Sequence, residues 1–307
     1  MGRLAILLAL LCLPASAWDK NGHSAFAIAT YRQLSPDVRT KVDAVLKSHP
    51  DYNLWMQNKP AGVDAGEEAF VQAAVWPDTI KGDPRFSDKP GVELPPTLPG
   101  FPDMKVHGNW HYIDRPIITN GGMPSATEID PVNNALVRLF EFRSKLDQPY
   151  YLAFFLHLTS DIHQPLHATS RFSGAHLDPN TGIDQGDRGG NSFLLDDEAK
   201  NMHRLWDGAL GQNLTREELS AIADKLTAPG RLASKTDPKT WYDESYELAR
   251  DFVYALGPDA KGDAPTKVTP LYKARTKELA MERLGMAACR AAAILNDRLS
   301  GGSGAPQ

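Results

Sequence analysis

Histidine and aspartate recur in this chain at spacings that suit a metal ion. In FFLHLTSDIHQPLH, Asp161 follows His157 by four residues and His167 follows Asp161 by six. A helix turns about 100° per residue, so His157 and Asp161 share a face, the geometry of two ligands to one ion. Pro165 is expected to end or bend that helix after Gln164, bringing His167 in from another direction. An aspartate placed between two such histidines can give one oxygen to each of two ions, so Asp161 is expected to bridge. His203 and Asp207 in MHRLWDGAL repeat the one-turn spacing. Asp78 in WPDTIK and His111 in NWHYID each follow a tryptophan near a loop, and His23 lies five residues after Trp18.

Each feature alone has a plainer reading. A His/Asp pair one turn apart is also an ion pair on a helix surface, and a single histidine is more often a capped or surface residue. Five of the nine histidines in such contexts are harder to dismiss. His163 points about 120° away from the His157 face and is left out of the ligand set. His49, His107 and His176 have no partner at helical spacing and read as surface or loop residues.

The elements that must carry these groups are mostly helical. Ser35-Pro36-Asp37 places a cap and a first-turn proline at the head of a helix over 35–48, with Val38, Val42, Val45 and Leu46 on one face. Similar patterns cover 19–33, 64–76, 131–146, 149–164, 192–210, 215–226, 239–256 and 268–299. No run of alternating strands stands out, and no period of 20–50 residues repeats, which argues against a solenoid. Two long loops remain: 83–109 holds six prolines and 170–191 five glycines. Loops of that length in a compact domain are often functional or ligand-bound.

Composition sets the wider limits. The chain has 307 residues, 42% hydrophobic and 23% charged, with net charge −5. That is an ordinary globular composition and excludes a disordered, fibrous or disulfide-scaffold protein. Arg3, a short apolar run and Ala15-Ser16-Ala17 read as a secretory leader over 1–17 with cleavage before Trp18. Cys12 follows a leucine, so no lipoprotein anchor is expected, and no other run suits a membrane span. Cleavage leaves only Cys289, so an intramolecular disulfide is excluded and metal becomes a candidate staple. The expected division is a leader 1–17, one domain 18–299 and a flexible tail 300–307.

The ordered set Trp18, His23, W-x-D at Asp78, W-H-x-x-D at His111, H-x3-D-x5-H and H-x3-D resembles the zinc-dependent single-strand-specific nucleases of fungi, plants and bacteria, the type I nucleases. The resemblance runs from Trp18 to Asp207, about two thirds of the chain. It implies a mostly α, single-domain, multi-helix fold, similar to the zinc phospholipases C, with three Zn²⁺. Carried over by position, one zinc is held by Asp78, His111, His157 and Asp161, and a second by His167, His203 and Asp207. The third takes the α-amine and carbonyl of Trp18, His23 and the other oxygen of Asp161. An α-amine can lose its proton to a metal. The precursor has an amide there, so the full site is expected only after processing.

The same resemblance implies an exported endonuclease, secreted or periplasmic, that cuts single-stranded RNA and DNA to 5′-phosphorylated products, with 3′-nucleotidase action. A monomer without stable membrane association is expected. Asp114, three residues after His111, would orient the attacking water and accept its proton, or would hold a ligand histidine. Lys81 would contact a phosphate oxygen or be a solvated surface lysine. Tyr112 would stack on an unpaired base or belong to the core. Asn191 matches a glycine-glycine-asparagine segment beside the site, or is a turn residue. The metals supply the positive field that an acidic nuclease lacks, so strong non-specific affinity for duplex is not expected. Asn213-Leu214-Thr215 is a glycosylation sequon, relevant only in a eukaryotic host. Two other readings stand beside this one: a zinc phospholipase C, which resembles the family but has Glu where this chain has Asp207, and a non-enzymatic zinc-binding protein.

Overall fold

Buried residues on α1 (Lys20–Arg32), α4 (Ala65–Thr79) and α6 (Pro149–Asp161) occupy nearly the whole circumference of each helix, so these three must lie inside a shell of other elements. In the computed structural model the described residues are 18–119, 121–124, 132–226, 235–257 and 264–300. The leader expected over 1–17 and the tail after Ser300 lie outside them.

Among the described residues the helices are α1, α2 (Pro36–Lys47), α3 (Tyr52–Gln57), α4, α5 (Ala135–Phe142), α6, α7 (Met202–Asp207), α8 (Arg216–Ala223), α9 (Pro238–Leu248) and α10 (Pro270–Leu299). α1 packs on α4, α8 and α10, and α4 packs on α6 and α2. The result is the mostly helical single domain expected. The cap expected at Ser35 is present, and a second N-terminal cap closes α8. Ser35 accepts from the Val38 amide ahead of Pro36, and Thr215 with Glu218 closes a capping box on α8.

Several boundaries differ from expectation. α6 ends at Asp161, not Gln164. Gln164 is already extended ahead of Pro165, and a short 3₁₀ turn, Pro165–His167, follows. The helix expected over 192–210 shrinks to α7. Upstream of it, Phe193 and Leu195 are buried while Leu194 and Asp196 are exposed. That period of two belongs to a strand. Leu195–Asp196 (β3) accordingly pairs in parallel with Thr266–Lys267 (β4). A second parallel pair joins Arg115–Ile118 (β1) to Thr169–Phe172 (β2). After α9 the chain continues through a π-helical turn, Ala249–Val253, and a 3₁₀ turn, Tyr254–Leu256.

The proline-rich loop is packed onto the core. Phe86, Phe101 and Met104 are buried, and Ser87 N donates to Met104 O at 3.1 Å. Phe86 and Phe101 meet the Trp76 ring edge-on, at 5.8 and 5.3 Å between centroids. The loop thus seats the last turn of α4, where Asp78 lies, and its far end seats Trp110, on which His107 stacks at 3.5 Å.

Candidate metal centre

Six short pieces of chain bring their side chains to one buried place. α6 presents His157 and Asp161, α1 presents His23, and the last turn of α4 presents Asp78. The 3₁₀ turn Gly108–His111 delivers His111, and the turn after α6 delivers His167. α7, capped by Asn201 on the Arg204 amide, delivers His203 and Asp207. Three groups with ligand atoms mutually within 4.8 Å result: His23, His157 and Asp161; Asp78, His111 and His157; His167, His203 and Asp207.

Asp161 divides its oxygens between two groups. Oδ2 lies 3.0 Å from His111 Nδ1 and 3.2 Å from His157 Nε2, and Oδ1 faces His23 Nε2 at 3.5 Å. Asp78 stands 3.8 Å from His111, 3.6 Å from His157 and 3.7 Å from His23.

The far side of three of the imidazoles is fixed by the backbone. Nδ1 of His157 meets Ala74 O at 2.7 Å, that of His167 meets His111 O at 2.6 Å, and that of His203 meets Gly189 O at 2.7 Å. A carbonyl only accepts, so each Nδ1 carries a proton, and each ring in its neutral form turns an Nε2 lone pair inward. His167 Nε2 and His203 Nε2 then confront each other at 3.3 Å, two lone pairs with Asp207 Oδ2 3.5 Å from the second. His23 Nε2 and Asp161 Oδ1 are buried with no hydrogen-bond partner. Inward lone pairs and bare carboxylate oxygens repel one another unless a cation lies between them, so the donor set fits metal ions.

The electrostatics show what the carboxylates do with no cation between them: they draw a proton onto one ring, which a metal ion would displace. Burial opposes charge on His157, yet Asp161 and Asp78 outweigh it and lift its pKa to about 10. Burial would raise Asp161, but His157 and His111 hold it far below the usual carboxylate range. Burial, with Asp19, Asp78 and Asp161 adding to it, pushes Asp207 well up against a hydrogen bond from Gln164. Burial lowers His23 to about 3 and His111 to about 4, which keeps both rings neutral and able to donate a lone pair.

The other expected residues lie as follows. Lys81 Nζ is 2.5 Å from Asp78 Oδ1 and its side chain is mostly buried. Tyr112 is exposed, and Asp114 is half-buried between His111 and β1. Asn191 is half-buried and donates from Nδ2 to Arg188 O at 2.9 Å, within a turn. Trp18 is fully buried and donates its indole N–H to Ser160 O at 2.9 Å. His163 stays outside the ligand groups, with Nδ1 on Thr159 O and Nε2 2.9 Å from Arg290. His49, expected at the surface, is buried instead, stacked on Trp55 at 4.2 Å, because its neighbours Trp55, Trp76 and Phe101 fold over it. His107 is a half-buried loop residue and does have a partner, Asp103, at 2.9 Å. Sequence reasoning missed the residues that orient the ligands. Gln164, which donates to Asp207 at 2.8 Å, and Ser160 carry side chains that could have been suspected; the carbonyls of Ala74, His111 and Gly189 leave no trace in sequence.

A mostly helical domain that brings three His/Asp groups together at its centre has the donor sets that could hold several metal ions. A family model described as S1/P1 Nuclease matches residues 18–300, and the chain belongs to that family of phosphodiester hydrolases. Comparison with curated proteins finds no match.

Proposed function

We propose that this chain is an exported, zinc-dependent endonuclease that hydrolyses the P–O3′ bonds of single-stranded RNA and DNA, leaving 5′-phosphates, and that it also removes 3′-phosphates from nucleotides. The observation that carries the reading is the set of inward-facing imidazole nitrogens and carboxylates in three groups, with His23 Nε2 and Asp161 Oδ1 buried and without a hydrogen-bond partner. Asp78, His111, His157 and Asp161 would hold one zinc, His167, His203 and Asp207 a second, and the Trp18 amine and carbonyl, His23 and Asp161 a third. Bound there, zinc supplies neutralisation of the phosphate and acidification of water toward a pKa of about 7.

The chain's own groups do the rest. Asp114 accepts the proton of the attacking water; it is half-buried and follows the ligand His111 by three residues. Lys81, which reaches Asp78, takes a non-bridging phosphate oxygen. Exposed Tyr112 offers a ring to an unpaired base, which disfavours duplex. Asn191 borders the same loop as Gly189, whose carbonyl orients His203. Processing before Trp18 is supported by a family match that begins at residue 18.

The test is metal analysis of the chain starting at Trp18, with turnover measured on single-stranded RNA and DNA, duplex DNA and phosphatidylcholine. Zinc at three per chain and cleavage of single strands are expected. Turnover of lipid alone would assign a phospholipase. Asp114→Asn is expected to keep its zinc and lose nearly all activity; full activity in that variant would remove Asp114 from the mechanism.

A further inference from the structure

We propose that Ser160 is a positioning residue: it ties the N-terminal segment to α6 and places the His23 proton on Nδ1, so that the Nε2 lone pair faces Asp161. The inference rests on the metal-centre reading above and adds a residue to it.

Ser160 is fully buried in the last turn of α6, between His157 and Asp161. It meets the N-terminal segment twice. Its carbonyl accepts the Trp18 indole proton at 2.9 Å, and its Oγ lies 2.8 Å from His23 Nδ1. The hydroxyl has a single hydrogen, and His157 O is placed to accept it at 2.8 Å. Serines inside helices commonly bond back to a carbonyl in this way. Once that hydrogen is used, the oxygen can only accept from His23, and Nδ1 must carry the imidazole proton.

The opposite tautomer leaves an Nε2 proton with no acceptor. The nearest carboxylate oxygens are Asp161 Oδ1 at 3.5 Å and Asp78 Oδ2 at 3.7 Å, too long for hydrogen bonds. A buried donor without a partner is costly, whereas a bare lone pair facing a carboxylate oxygen there is a seat for a cation. The backbone of α1 makes room for the arrangement: a Cβ on Gly22 would stand 2.6 Å from Trp18 Cβ, so any side chain at 22 displaces the indole that Ser160 holds. Carbonyls orient His157, His167 and His203, and they cannot be substituted. His23 is oriented by a side chain, and that makes its orientation testable.

The experiment takes the zinc-loaded chain starting at Trp18 through a chelator titration, beside Ser160→Ala, His23→Gln and the double variant. Ser160→Ala is expected to release one ion about 10-fold more readily and hold the others unchanged. The double variant is expected to release its ions as His23→Gln does. Release equal to the unsubstituted chain, or loosening of all the ions together, overturns the proposal. Long-range nitrogen–proton NMR spectra of the unsubstituted chain test it whether or not the variants fold. A proton on His23 Nδ1 is expected, and one on Nε2 overturns it. Failure of the unsubstituted chain to bind zinc or cut nucleic acid would count against the proposed function, and the His23 spectrum would still decide the role of Ser160.

Discussion

Asp161 is the residue that joins two of the three clusters, because each of its oxygens has different neighbours. Oδ2 serves the His111 and His157 side, and Oδ1 serves His23. Asp161→Asn keeps the shape but removes the charge and one of the two equivalent oxygens. Loss of an orienting neighbour costs about 10–100-fold, so loss of a ligand oxygen is expected to cost more than about 100-fold in nuclease activity. Zinc content is expected to fall by at least one ion per chain. Elemental analysis with initial rates on single-stranded RNA checks both, and unchanged zinc would refute bridging. His49 makes a different prediction. Burial lowers its pKa to about 3, against a smaller upward pull from Asp51. A depressed histidine pKa means the unfolded chain takes up a proton near pH 6.5 that the folded chain refuses. Its contribution is therefore present above about pH 6.5 and lost as pH falls toward 3, with a slope of up to about 1.4 kcal/mol per pH unit. Denaturant midpoints compared between the unsubstituted chain and His49→Gln, at equal zinc excess, are expected to converge as pH falls through that window. Parallel profiles would refute the assignment.

At the scale of elements, what was legible in sequence was whatever a helix repeats. His157 with Asp161, and His203 with Asp207, could be paired because each pair lies inside one helix at a spacing of four. Asp78, His111 and His23 could be singled out by type and by resemblance, but their convergence depends on how α1 and α4 cross α6. The end of α6 was misplaced by three residues because Pro165 restrains only Gln164 directly. Ile162 and His163 are held by other elements: Ser245 Oγ donates to Ile162 O at 2.6 Å and Arg283 Nε to His163 O at 3.1 Å. Those partners lie over 80 residues away, beyond any local pattern. They belong to a buried group in which Glu244 on α9 bonds both Arg283 and Arg290 on α10. Glu244→Gln removes the carboxylate that bonds both buried guanidiniums and is expected to destabilise the fold by about 3 kcal/mol. Urea unfolding, with the slope unchanged and the midpoint lowered, checks it. A loss under about 1 kcal/mol would show that the helix-end carbonyls suffice to balance the two arginines.

Across the whole molecule, the question is what holds together a domain that carries inward-facing lone pairs and carboxylates at its centre. A disulfide is not expected to: the sequence has two cysteines, Cys12 in the expected leader and Cys289 on α10. The metal groups tie α1, α4, α6, α7 and the turns after His107 and Gln164 to one another, so ions that bind the folded chain alone stabilise it by mass action. One ion at a hundred times its dissociation constant contributes about 2.7 kcal/mol, so three contribute about 8. For a domain of this size about 1 kcal/mol shifts the melting temperature by about 2–4 °C. Excess chelator is therefore expected to lower the melting temperature by at least about 10 °C, and thiol reductant to leave it unchanged. Scanning calorimetry of the chain beginning at Trp18, with zinc, with chelator and with reductant, distinguishes the contributions. A chelator shift under about 2 °C would mean that the helical shell holds without its centre, and that the buried clusters have been accommodated at little cost.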